Sequence, residues 1–172
     1  MPGRNQHDSA ALAAAPPAGR LSQLVLEGEA LTRLSPLLEA DRAQAVHDLL
    51  HDNRFAPARA DDAGPFVLRL SIAEGRLAFD IRDASEAPLH LVALALGPFR
   101  RLIKDYQMLV DSHVLAVQEG REARIQAIDM GRRGLHNEGA ALLVERLAGK
   151  ITIDFPTARR LFTLVCVLHQ RF

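Results

Sequence analysis

Between residues 66 and 82 apolar and charged positions alternate with a period of two, and FVLRLSI and RLAFDIR flank a Glu74-Gly75 turn. A two-residue turn there sets Ile72 opposite Leu77, Leu70 opposite Phe79 and Leu68 opposite Ile81, while Arg69 faces Asp80 on the other side. One register sorts both strands, so the stretch predicts a β-hairpin. Asp83 to Pro88 reads as a second turn and LHLVALAL as a third strand, whose nearly unbroken apolar run predicts burial on both faces. LSQLVL, residues 21–26, predicts a short strand at the start.

Elsewhere the apolar period lengthens to that of a helix. Ser35-Pro36 pairs an N-cap residue with proline at the first helical position, and a helix follows to about Asn53 with Leu38, Val46 and Leu49 turned inward. Pro57 and Asp61 to Pro65 form a loop. Gly97-Pro98 opens a helix that reaches about Gln118, with Phe99, Leu102, Tyr106, Leu109, Val110 and Val117 as its apolar stripe. A longer helix over 125–147 follows, then ITID as a short edge strand, then a last helix from Pro156. The LFTLVCVL core of that helix is apolar all round, which marks it as the central element. The fold class is therefore α+β: a small antiparallel sheet (the N-terminal strand plus a three-stranded meander), one helix before the meander and three C-terminal helices packed on one face. Residues 1–20 read as a disordered tail and 21–172 as one globular domain.

The long helix carries groups that are expensive to bury. Ile125, Ile128, Leu135, Leu142 and Leu143 share one face, and Arg132, His136 and Gly139 fall on it too. A buried guanidinium requires an acceptor. Asp129 is expected to pair with Arg133 at the surface, and Arg132 inward with Asp105 or Asp154. Gly131, Gly134 and Gly139 each cost about 1 kcal/mol relative to alanine in a helix interior. Close approach by another helix accounts for them most simply; a ligand, or a break in the helix, would also do so.

Composition narrows the chemistry. The formal net charge is zero, which removes the bulk attraction of a nonspecific nucleic-acid binder, and with no tryptophan and one tyrosine a base-stacking surface is disfavoured. Cys166 is the single cysteine, so no intrachain disulfide can form; a reducing, cytoplasmic setting is expected, with the thiol acting as a small core hydrophobe. No apolar run approaches a membrane span. The first twenty residues are cut by Pro16 and Pro17 and lack a cationic start, so no signal peptide is expected. His47 and His51 have the i,i+4 spacing of a helical zinc pair, but two ligands make no site and both point away from the apolar face; no metal or cofactor is expected.

The strings NRFAP, PFRRLIKDY, IDMGRRGLHNEGAALLVERL and TARRLFTLVCVL resemble the bacterial uncharacterised protein family 0262, over roughly residues 20 to 170. The Ala/Pro-rich head lies outside the resemblance, and His47 and His51 depart from it, since family members tend to carry acidic or apolar residues there. What the resemblance implies is limited: a small soluble bacterial protein with no assigned reaction, cofactor or partner, and hence no catalytic residue to carry over.

Candidate chemistry then rests on the residues alone. Arg132, Arg133 and Asn137 on the long helix, Arg100, Arg101 and Lys104 on the helix before it, and Arg159 and Arg160 on the last helix are candidate ligand-binding groups. The leading expectation is a non-enzymatic binding or interaction module presenting this Arg-rich surface to an anionic ligand or a protein partner. The alternative is an enzyme of undefined reaction, with His136 and Glu138 as candidate catalytic groups beside Arg132 and Arg133. A third is a homodimer that buries one helical face.

Overall fold

The computed structural model describes residues 19–27, 34–59 and 63–169. In chain order these form β1 (Leu21–Leu26), α1 (Pro36–His51), β2 (Phe55–Pro57), β3 (Phe66–Ala73), β4 (Arg76–Arg82), β5 (Pro88–Ala95), a 3-10 turn over Gly97–Phe99, α2 (Arg100–Gln118), α3 (Glu122–Leu147), β6 (Ile151–Ile153) and α4 (Phe155–His169). The fold is α+β. Of the tail expected over residues 1–20, only Gly19 and Arg20 fall within the described residues. Both belong to the fold, Gly19 through its N–H to the Ala63 carbonyl and Arg20 by accepting from the Phe66 N–H. No helix among the described residues is long and apolar enough to cross a membrane.

The hairpin register is the one expected: Ile72–Leu77, Leu70–Phe79, Leu68–Ile81 and Arg69–Asp80 are partners. Alternation therefore buries Leu68, Leu70, Leu77, Phe79 and Ile81 on one face and leaves Arg69, Ala78 and Asp80 on the other. Glu74 and Gly75 both take positive φ, as a tight hairpin turn requires.

Three expectations about strands are corrected. The sheet runs β1-β3-β4-β5, but β1 lies parallel to β3, so the sheet is mixed rather than antiparallel. The reason is the helix between them: a strand that returns beside its predecessor through a helical crossover arrives in the same direction. β5 is not covered on both faces: Val92 and Leu94 are buried while Leu91 is 62% exposed, and the strand lies at the edge of the sheet. Pro57, read as loop, instead ends the strand β2, which pairs in a separate two-stranded sheet with β6, the short edge strand expected at ITID.

Helix starts follow local chemistry. Ser35 Oγ accepts from the Leu38 N–H ahead of Pro36, and Asp154 Oδ1 accepts from the Thr157 N–H at the start of α4. α4 is the central helix, with every residue from Leu161 to Leu168 buried. α3 is continuous, so no break occurs at Gly131 or Gly134. Gly139 is the glycine that packing requires: a Cβ there would overlap the ring of Phe162 on α4. Its bare backbone lets α3 and α4 approach closely, and that approach brings their polar flanks together. On α2, Val117 is exposed and Ile103 and Ala116 are buried instead.

Candidate functional site

Asp41 occupies the inward face of α1, at helical spacing from the buried Leu38, Ala45 and Leu49. Its side chain is 11% exposed. One carboxylate oxygen accepts from the Tyr106 hydroxyl of α2, and the other from Nη1 of Arg132 on α3. The second Arg132 nitrogen, Nη2, donates to Asp129 Oδ1 at 3.1 Å. Arg132 thus pairs with Asp41 and Asp129, not with Asp105 or Asp154, and Asp129 does not take Arg133. Three helices are joined by one carboxylate.

His136 lies one turn beyond Arg132 on α3, and its ring packs against Tyr106 with centroids 5.4 Å apart. The residue is 6% exposed, and Nε2 has no hydrogen-bond partner among the described residues. Burial holds its pKa down to about 4, helped by the Arg159 and Arg132 charges and opposed by Asp41. The imidazole is neutral at neutral pH. Burial and the Asp41 carboxylate both push the Tyr106 phenol upward, so it stays a donor. For Arg132 burial works against the charge, but the hydrogen bond and charge of Asp41 outweigh it and raise the pKa.

Beside this network opens a cleft of about 270 Å³ between α1, α3 and α4. Arg132, Arg133, Arg159 and Arg160 line it, against the carboxylates of Asp41 and Asp48, with His136 and Thr163 completing its wall. The two added arginines come from the first turns of α4 and are held by their neighbours. Arg159 Nε donates to Asn137 Oδ1 at 2.9 Å, and Arg160 Nη1 to the Asp52 carbonyl at 3.1 Å. Each keeps other guanidinium N–H groups in hand, since the fork carries five donors. Arg133 is exposed and makes no ion pair among the described residues. Arginine forks with spare donors around one hollow can bind an oxyanion.

Two of the three basic clusters expected from sequence therefore meet in space. The third does not. Arg101 turns to α3, bridging Asp105 at 3.2 Å and Glu138 at 2.6 Å; Arg100 lies beside Gly75 at the hairpin turn, and Lys104 is exposed away from the cleft lining. Glu138, paired with Arg101, is not among the residues that line the cleft with His136. His47 and His51 are exposed, their rings stacked 6.3 Å apart; among the described residues no three His, Cys, Asp or Glu side chains group as a metal site. Cys166 is wholly buried, and burial raises its thiol pKa.

Asp41, Tyr106 and Thr163 were not singled out from sequence. Asp41 could have been: it stands at helical spacing from both Leu38 and Ala45, the counterpart on α1 of Arg132 on α3. Tyr106 read as an ordinary member of an apolar stripe.

The model of an uncharacterised protein family, UPF0262, matches residues 18–171. Similar proteins of the same designation occur in Granulibacter bethesdensis (69% identical, covering 88% of this chain and 90% of the relative) and Acidiphilium cryptum (60% identical, covering 89% and 94%). Another, from Rhodospirillum rubrum, is 53% identical over 88% of this chain and 92% of its own length. No solved structure matches.

Proposed function

This chain belongs to the uncharacterised protein family UPF0262, and we propose that it is a non-enzymatic binding module whose cleft between α1, α3 and α4 takes a compact phosphate- or carboxylate-bearing ligand. The observation that carries this is the convergence of Arg133, Arg159 and Arg160 on one hollow beside an Arg132 already neutralised by Asp41. Arg132 is spent on the fold. The other three supply charge and donors. Asn137 aligns Arg159 rather than contacting the ligand.

Thermal unfolding in inorganic phosphate and in pyrophosphate, against chloride at equal ionic strength, tests the assignment. A site filled to a hundred times its Kd stabilises the fold by about 2.7 kcal/mol, which for a domain of this size is a Tm rise of roughly 5–10 °C. The Arg133→Gln/Arg159→Gln pair is expected to lose most of that rise. If phosphate, pyrophosphate, nucleotides, oligonucleotides and small di- and tricarboxylates all leave Tm where chloride leaves it, the anion assignment is lost.

One observation favours an enzyme as the second reading: the neutral, unpartnered imidazole of His136 on the cleft wall could accept a proton from a bound hydroxyl or water. A catalytic His136 would make turnover, not ligand affinity, the property lost in His136→Gln.

A further inference from the structure

We propose that the free edge of β5 takes an extended acidic peptide as an added strand. β5 pairs with β4 on one side, and no described strand lies on the other. Alternate N–H and C=O groups of an edge strand point outward without a ladder partner. The usual guards are thin here. Pro88 opens the strand and a register shift follows Ile81, but beyond them HLVALA carries no acid, lysine or arginine. Leu91, at 62% exposure, stands in the middle of the stretch.

Two adjoining hollows, of about 250 and 330 Å³, follow this edge and share Ala93 and Lys150. His90 to Ala93 line one, and Ala93 to Ala95 the other. Consecutive residues line them, where a hollow over one face of the sheet would touch only alternate ones. The groove therefore tracks the backbone edge for six residues, about 20 Å at strand spacing. That is room for a strand.

The opposite wall decides the partner. It carries Arg59, Arg146 and Lys150 against one carboxylate, Glu145, and none of the three cations makes an ion pair among the described residues. A peptide that pairs with β5 would place every second side chain toward this wall, so acids at alternate positions fit it. A second copy of β5 does not: PLHLVALA has no carboxylate to offer, and two copies would bring their cations together. The groove shares no residue with the arginine cleft.

The test uses the full chain, an octapeptide of alternating Glu and Val, and its Lys/Val counterpart. Hydrogen exchange is followed residue by residue. The Glu/Val peptide is expected to slow amide exchange within residues 90–95, with affinity at least tenfold weaker for Lys150→Glu, an exposed change whose folding circular dichroism checks. N-methylation of alternate peptide bonds is expected to abolish the protection while keeping the charge. Equal binding of both peptides, or binding without protection of β5, would overturn the proposal. So would protection that appears without peptide and grows with protein concentration, because the edge would then be covered by a second copy.

Discussion

Asp41 and His136 lie within one polar network, and the same burial acts on them through different partners. Asp41 receives a phenol and a guanidinium, so its desolvation is offset by two directed hydrogen bonds. His136 has a carboxylate in range but two arginines as well, and no hydrogen bond at Nε2. Its proton is therefore held less tightly in the folded chain, near 4, than at the ordinary value of 6.5. Between those values the unfolded chain binds more protons, so stability falls as pH drops from 6.5 toward 4 and is flat in this group above 6.5. The span corresponds to about 3 kcal/mol at most. Urea unfolding across pH 4 to 7 should show that slope, reduced in His136→Gln; equal slopes in the two proteins would mean that the imidazole is as solvated as in a peptide.

Within α3, Gly139 and Gly134 do different work, and substitution separates them. Alanine at Gly139 would press a Cβ into the buried Phe162 ring, and overpacking of this kind costs roughly 1–3 kcal/mol. Alanine at Gly134 meets nothing within 4 Å and replaces the poorer helix former on an exposed face, which should stabilise by up to about 1 kcal/mol. Chemical denaturation of the two variants should move in opposite directions. Gly139→Ala should also weaken phosphate stabilisation, because pushing α4 away separates Arg159 and Arg160 from α3. If both variants behave alike, the α3–α4 spacing is not set at Gly139. This contrast was only half visible beforehand: three glycines at one helical locus signalled a close approach, but their spacing did not say which glycine makes it.

At the scale of the whole molecule, long-range polar contacts tie the sheet to the helices. Asn53, just past α1, donates from Nδ2 to the Leu21 and Leu49 carbonyls at 2.9 and 2.8 Å, and its Oδ1 accepts from the Leu21 N–H at 2.7 Å. Asn53→Ala would leave groups of the fully buried Leu21 unpaired, at a cost of about 2–3 kcal/mol. Amide exchange at β1 should quicken more than at β4; uniform quickening would instead show that β1 opens only with the whole domain. What could be read from residue order alone was whatever depends on neighbours in the chain: the period-two hairpin and its register, the Ser35-Pro36 start, the helical stripes and the all-apolar α4. These follow from alternation and capping, which act over a few residues. The parallel direction of β1, the edge position of β5, the β2–β6 pair and the meeting of Asp41 with Arg132 were decided by packing. Each depends on the relative placement of segments far apart in sequence, and many carboxylates could have served a buried guanidinium until the approach of the helices selected one.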